Sequence, residues 1–359
     1  MESYDQKTEQ SINRPVEFLS FIKNIPSIKT KGICILTKQA LLSLSTEVNT
    51  ENLIQELEEI QIIDQTGKRK VESECLLKLM PTPVLQKSVT VRGISFVNHI
   101  SMVTSERVWV SDHDDIYLTN TVGDVMCHVT DVLKEIWWGI HSVTGDGELI
   151  YINREGNINK LSVDNNVKIT MITKMEPWEP SCVYCSPATG DLLVGTVRHN
   201  TYTGKITRYN STGQHVKTIQ QYLQGHELYN RPIFVTENRN GDVIVTDLTQ
   251  SAVVVTDHGG RHRFSYTGSA SEIPFTPFAL CTDAFSHILV YDNYADAVQM
   301  IDKDGHFLSV LLSTKELGIN LAQCLSYDYR THHLWVGSSN DTLSVFRYIN
   351  RVDFRTGRY

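Results

Sequence analysis

A short β-rich segment that ends in a small or acidic residue recurs six times along this chain of 359 residues. The copies read WVSD, IYIN, LVGT, IVTD, LVYD and WVGS, and their successive ends lie 41, 43, 51, 45 and 46 residues apart. Each copy has room for about four strands, and a period of roughly 40 to 50 residues is typical of propeller blades. The spacing therefore predicts an all-β fold, a six-bladed β-propeller.

A second repeated feature is a turn with a fixed spacing. After each of the first five copies, a strand-like run ends in a small polar residue that is followed by two spacers and then by glycine or asparagine. The pairs are Asn120 with Gly123, Ser162 with Asn165, Asn210 with Gly213, Asp257 with Gly260, and Asp302 with Gly305. A tight turn with a positive φ needs glycine or tolerates asparagine at that position. The recurrence favours blades over two evenly spaced β-sandwiches.

The ends of the repeat array predict how the ring closes. The sixth copy stops at residues 343–348 (LSVFRY) without an outer strand, and residues 87–92 (KSVTVR) form a lone strand-like run before the first blade. An unclosed propeller would leave an exposed sheet edge. We therefore expect the 87–92 strand to complete the last blade, with the propeller spanning 87–350 and a basic tail at 351–359.

Residues 1–86 differ from the repeats and predict a small α+β extension, either a subdomain or a linker. One short helix is expected from Pro15 onward, because proline suits the first turn of a helix. A second, amphipathic helix is expected around Leu53, Leu57 and Ile60. Strand-like runs on either side of residues 65–67 predict a β-hairpin.

The blades, for example VVVTDHGGRH and VQMIDKDGHF, resemble the NHL repeat. Together with RPVEFLSFIKN and CLLKLMPTPVLQKSVTVRG, they make the whole chain resemble the C-terminal part of tripartite-motif NHL (TRIM-NHL) proteins of invertebrate type. The resemblance implies an NHL-type propeller that recognises ubiquitination substrates or RNA. Members of the family carry a RING finger, B-boxes and a coiled coil before the propeller.

The first 86 residues depart from that family pattern. They contain two cysteines and no histidine, whereas a RING needs eight Cys/His ligands for its two zinc ions. A role as a component of an E3 ubiquitin ligase therefore requires a RING that a partner supplies or that the gene model has lost. The expectation for the chain itself is a non-catalytic module that recognises substrates.

Catalytic and metal-binding signals are weak in this sequence. Enzymatic propellers place several acidic or histidine side chains from different inner strands in the central channel, and the predicted inner strands supply His141 and little else. Cys182 and Cys185 form a CxxC without a second pair, and positions three apart on a strand face opposite sides. We therefore predict no enzymatic activity, no cofactor and no metal site.

One face of the predicted propeller carries the loops that join second to third strands and the loops between blades. We call it the loop face. Its charge favours a protein partner, because fifteen acids oppose six bases and would repel a phosphate backbone. Acids in loops also cap turns, but the net negative charge of the loop face predicts a basic partner segment. The predicted partner-binding residues are Trp138, Trp178, Tyr222, Tyr229, Phe275, Asp112, Asp247 and Asp292.

The alternative is an RNA-binding post-transcriptional regulator, for which Arg261 and Arg263 are the candidate contacts because they lie two apart on one strand. The charge disfavours this alternative, since 33 Lys and Arg oppose 41 Asp and Glu for a net charge of −8. No apolar run approaches the roughly 18 residues that a membrane span needs. Seven cysteines without framework spacing fit reduced thiols, so we expect a cytoplasmic protein without membrane contact.

Overall fold

The computed structural model describes residues 76–133, 138–164, 167–174, 176–222, 225–269, 274–313 and 322–352. These residues form 24 strands in six four-stranded antiparallel sheets. The predicted N-terminal helices and most of the predicted hairpin lie outside the described residues, as do the last seven residues of the predicted tail. Nowhere in the described part is there a helix long and apolar enough to cross a membrane.

Each sheet is one blade, and five blades contain four consecutive strands. Blade 1 contains β2 (His99–Met102), β3 (Arg107–Ser111), β4 (Ile116–Asn120) and β5 (Val125–Val129). Blade 2 contains β6 (His141–Val143), β7 (Leu149–Ile152), β8 (Ile158–Ser162) and β9 (Val167–Ile172). Blade 3 contains β10 (Glu179–Cys185), β11 (Leu192–Arg198), β12 (Thr203–Tyr209) and β13 (His215–Ile219).

The second half of the ring repeats this order. Blade 4 contains β14 (Pro232–Glu237), β15 (Val243–Asp247), β16 (Ala252–Thr256) and β17 (His262–Tyr266). Blade 5 contains β18 (Pro277–Thr282), β19 (Ile288–Asp292), β20 (Ala297–Ile301) and β21 (Phe307–Ser313). Blade 6 contains β22 (Ala322–Asp328), β23 (His333–Ser338), β24 (Thr342–Val352) and, from the start of the propeller, β1 (Leu76–Thr90).

The first strand of each blade contacts the first strand of the next, and β2 of blade 1 contacts β22 of blade 6, so the six blades form a closed ring. The predicted six-bladed β-propeller is confirmed. The core lies between neighbouring blades, where the middle strands are buried on both sides. In β15, β16, β19 and β20 every residue is buried, whereas the outer strands β9 and β13 are mostly exposed.

Strand β1 pairs antiparallel with β24 and supplies the outermost strand of blade 6. It spans Leu76–Thr90, whereas the sequence predicted a strand at 87–92, and it includes residues 76–80 that were assigned to the hairpin. Pro81 and Pro83 fall where the register shifts between Leu79 and Val84. Proline cannot donate a ladder hydrogen bond, but an edge strand tolerates it, so the strand continues past both prolines.

The C-terminal boundary also differs from the prediction. Strand β24 continues to Val352, so Arg351 belongs to the sheet, opposite Leu77, and not to a tail.

The repeated turns join the third and fourth strands of the blades. In the first of them, the Asn120 side-chain oxygen accepts hydrogen bonds from the backbone N–H groups of Val122 and Asp124, and Gly123 has a φ of 89°. A Cβ on Gly123 would lie 1.9 Å from the carbonyl oxygen of Thr90, in the outer strand of the preceding blade. Glycine is therefore needed both for the turn and for the contact between blades.

We expect Gly123→Ala to lower the free energy of unfolding by about 2–4 kcal/mol, because it combines left-handed backbone strain with a clash against Thr90. Gly93→Ala is the matched control, since Gly93 has a similar φ of 86° but open space around its Cβ position. It should cost only about 1 kcal/mol. Chemical denaturation of both variants measures the difference, and equal losses would contradict a packing role for Gly123.

Candidate interaction face

Trp138 lies across the loop-face mouth of the central channel. It precedes the inner strand of blade 2, and its indole packs edge-on against Phe278 of blade 5, with ring centroids 4.9 Å apart. Blades 2 and 5 are opposite in a ring of six, so this contact spans the channel. The guanidinium of Arg231 lies 5.6 Å from the indole centroid. Trp138 is only partly buried and presents an aromatic surface beneath a cation.

Side chains from several inner strands fill the channel below Trp138. His99 of blade 1 contacts Phe234 of the opposite blade 4, with ring centroids 5.4 Å apart. Gly139 has a φ of 58°, and a Cβ there would lie 2.6 Å from the carbonyl oxygen of Ile233. Among the described residues, these contacts fill part of the channel at its loop-face end.

His99, which was not predicted from the sequence as a channel residue, forms a buried pair with His141 at 4.2 Å between ring centroids. The Ser101 hydroxyl donates its proton to the His141 carbonyl oxygen. The hydroxyl oxygen of Ser101 is therefore the acceptor for Nδ1–H of His141. Burial lowers the pKa of His99 to about 3, and burial together with His99 lowers the pKa of His141. Both rings are neutral in the folded protein. The signal was present in the sequence, because His99 and Ser101 lie two apart on one strand.

This pair predicts a loss of stability in mild acid. The unfolded chain protonates both histidines below about pH 6.5 while the folded protein does not, so each removes about 1.4 kcal/mol per pH unit as the pH falls. Between pH 6.5 and 5, His99→Phe should reduce the pH-dependent loss by about 2 kcal/mol relative to the parent chain. Urea unfolding at several pH values measures this, and parallel pH profiles would contradict a neutral buried His99.

Trp178 lies beneath two cations of blade 3. The ammonium of Lys205 is 4.1 Å and the guanidinium carbon of Arg198 is 5.6 Å from the indole centroid. Thr196 pairs with Lys205, and Arg198 is two residues further along the same strand. Paired residues share a face of the sheet, as do residues two apart. The register of the β11–β12 hairpin thus brings both cations to one side.

The other predicted aromatic residues contribute little surface. Tyr229 is fully buried, and Phe275 is 5% exposed and packs edge-on against Tyr266. The partner contact predicted for these two side chains is not available to them, because both fold inward as core residues. Tyr222 is partly buried and packs edge-on against His262 at 4.7 Å. Tyr294, which was also predicted to lie on this face, and Tyr202, which was not predicted, are 61% and 69% exposed on its loops.

The predicted aspartates hold loops in place. Asp247 is fully buried and accepts four backbone N–H bonds, from Asn230, Arg231, Thr249 and Gln250. Burial raises the pKa of Asp247, and these four bonds act in the opposite direction.

Asp292 is 2% exposed and accepts from the backbone of Thr276 and Tyr294, while Asp112 caps the turn at Asp114 and Asp115. Asp247 and Asp292 therefore cannot contact a partner, and Asp112 is engaged in its own turn.

Several of the predicted acids of the loop face have a local partner. Asp131 pairs with Lys168 at 2.8 Å, Glu176 with Lys174 at 3.0 Å, and Glu179 with His199 at 3.1 Å. The count of acids in the sequence therefore overstates the attraction for a basic segment. Trp138 and Trp178, which are partly exposed on this face, each lie close to a cation.

The two arginines predicted to contact RNA lie away from the loop face and have acidic partners. Arg261 belongs to the turn before β17, and its Nε donates to Asp257 at 2.8 Å. Arg263 joins blades 4 and 5, because its guanidinium contacts Asp242 at 2.5 Å and Asp304 at 2.7 Å. Arg263 thus already serves as a cross-link between blades.

Within the described ranges, no group of three or more His, Cys, Asp or Glu side chains is placed to hold a metal ion. Burial raises the pKa of Cys182 to about 12 and that of Cys185 to about 11, so both remain protonated thiols.

The comparisons with known proteins address the fold. No protein-family profile and no curated protein matches the chain. Among solved structures, the propeller is similar to a gluconolactonase from Xanthomonas campestris, with a TM-score of 0.56 and 10% identity over 77% of this chain and 95% of that one. It is also similar to virginiamycin B lyase from Staphylococcus aureus, with a TM-score of 0.53 and 13% identity over 76% of this chain and 99% of that one. These likenesses show the fold alone.

Proposed function

We propose that this chain is a non-catalytic interaction module that binds a partner protein through its loop face. The observation that carries the proposal is Trp138, which closes the channel mouth under Arg231 and leaves an aromatic surface where a channel opening would lie. Tryptophan, tyrosine and arginine dominate the binding energy of protein interfaces. Exposed Tyr202 and Tyr294 extend the same face.

Capture of partners from nuclease-treated lysate tests this proposal. Tyr202→Ala and Tyr294→Ala remove exposed rings, and together they should weaken partner binding by about tenfold or more. Val122→Ala is the matched control, because Val122 is 67% exposed in the turn between β4 and β5, on the opposite face. Partner capture that depends on Val122 and not on the tyrosines would contradict the proposal.

RNA recognition is the second candidate, and the cations above Trp138 and Trp178 favour it. Proteins that bind single-stranded RNA combine aromatic stacking with basic side chains. The contacts would then be Arg231, Arg198 and Lys205, in place of Arg261 and Arg263. RNA binding of this kind weakens steeply with salt. RNA that is retained at low salt, is released as the salt concentration rises and is lost in Arg231→Ala supports this candidate, and the absence of retained RNA at low salt contradicts it.

The resemblance to TRIM-NHL proteins supports a narrower version of the first proposal, in which the partner is a ubiquitination substrate and another chain supplies the RING. Addition of a purified RING ligase to the captured complex tests it. Ubiquitin transfer to the partner that requires this chain supports substrate recognition, and transfer that is independent of this chain contradicts it.

A further inference from the structure

Blade 3 holds two half-buried cations on one indole ring. Lys205 and Arg198 both lie over Trp178, at 4.1 Å and 5.6 Å from its centroid, and the pairing of β11 with β12 fixes them on the same side of the sheet. Like charges this close repel each other, and the indole beneath them offers only the partial compensation of a cation–π contact.

Among the residues that the structure describes, neither cation forms an ion pair with an acid. Nε of Arg198 is buried and lacks a hydrogen-bond acceptor. Burial, with Arg198 as the next cause, lowers the pKa of Lys205. The acids nearest to Trp178 along the chain are engaged elsewhere, since Glu176 contacts Lys174 and Glu179 contacts His199. Asp191, the acid nearest to Arg198 along the chain, contacts Arg208. The site thus holds two positive charges that no described acid compensates.

We propose that Trp178, Arg198 and Lys205 form a carboxylate-binding site that takes an acidic side chain from the partner protein. The guanidinium and the ammonium both donate to carboxylate oxygens, and bonds between ionised groups are the strong ones. Trp178 provides a flat wall for the methylenes that carry the acid. This inference rests on the proposed function and specifies the partner segment as acidic, in contrast to the basic segment that the sequence favoured.

The surroundings favour a single acidic side chain over a nucleic-acid backbone. Binding of RNA requires a series of cations that follow successive phosphates. Here Trp178, which lies under the cation pair, is flanked on the chain by Glu176 and Glu179, and the whole chain has a net charge of −8. An isolated pair of positive charges in acidic surroundings matches one or two carboxylates.

Fluorescence anisotropy on the full chain tests the site with three labelled probes, a hexaglutamate peptide, a hexalysine peptide and a twelve-nucleotide oligouridine. The glutamate peptide should bind and the lysine peptide should not. Arg198→Gln and Lys205→Gln keep the side-chain stems, and each should weaken binding of the glutamate peptide by about tenfold. Lys174→Gln is the matched control, because Lys174 already pairs with Glu176. It should change binding less than about twofold.

The outcomes separate this inference from the proposed function. Equal binding of the glutamate peptide to the parent chain and both glutamine variants overturns the carboxylate site, and so does tighter binding of oligouridine that depends on the same residues. Partner capture provides the second readout. If Tyr202→Ala and Tyr294→Ala abolish partner capture while Arg198→Gln and Lys205→Gln do not, the proposed function is supported and the carboxylate site is rejected. Capture that is unaffected by all four variants rejects both.

Discussion

Glu237→Gln is expected to lower the free energy of unfolding by about 3–5 kcal/mol, because it removes one charge from a buried ion pair. Glu237 and Arg208 have side chains 6% and 5% exposed, and their Oε1 and Nη2 atoms are 2.6 Å apart. The second carboxylate oxygen accepts from Ser186, and Asp191 contacts Arg208 at 3.3 Å. The pair joins blades 3 and 4. In the variant, Asp191 is the one acid that still contacts the buried Arg208 guanidinium, and its 3.3 Å contact is longer than the one that is lost.

The double variant Arg208→Met with Glu237→Leu is the informative control. It removes both charges and fills the space with apolar atoms, so it should be more stable than the sum of the single losses predicts. Asp131→Asn, which breaks an exposed pair with Lys168, should change the free energy by less than about 1 kcal/mol. Additive effects of Arg208→Met and Glu237→Leu in urea unfolding would contradict a coupled buried pair.

Removal of β1 is expected to abolish the cooperative unfolding transition. A chain that begins at residue 91 lacks the outer strand of blade 6, so buried Val345 and Phe346 of β24 lose their cover and the last sheet gains an open edge. A chain that begins at Cys75 keeps the strand, and this residue is also where the compact C-terminal unit begins. We expect the longer chain to unfold in one sharp transition.

Calorimetry of the two truncated chains measures the contribution of β1. The chain from Cys75 should show a heat-absorption peak that the chain from residue 91 lacks. A similar peak in both would mean that the strand contributes little to the ring, and would contradict its role as the closing strand.

The repeated features of the sequence predicted the fold because each reflects a local requirement that recurs in every blade. The period reflects the four-strand unit, and the turn at Asn120 and Gly123 reflects a backbone conformation that few residues adopt. The first-to-second strand turns carry the same signal, for example Asn238 with Gly241, where Asn238 accepts from the backbone of Asp242. The fold prediction rested on the third-to-fourth strand turns alone.

The candidate face was less predictable, because loop residues follow no period. Phe275 and Tyr229 occur in loops but pack into the core, and nothing in their spacing distinguishes them from Trp138 and Trp178. The acids Asp247 and Asp292 were counted as surface charge, but their backbone partners bury them. Charge counting fails here because a carboxylate that caps a turn has the same sequence signature as one that faces solvent.

The cations at Trp178 show which information was missing. Arg198 and Lys205 meet only when the register of β11 against β12 is known, and a shift by one residue would turn them to opposite faces. Register depends on the length of the hairpin turn and on packing against the neighbouring blade, and neither can be read from composition.

Site-specific photocrosslinking tests most directly whether the loop face binds a protein. Benzoylphenylalanine replaces Tyr202 or Tyr294 in the full chain, and Val122 on the opposite face provides the matched position. We expect the same partner protein to be crosslinked from positions 202 and 294 and not from 122. Crosslinks to protein from position 122 alone, or to RNA alone from positions 202 and 294, would contradict a protein-binding loop face.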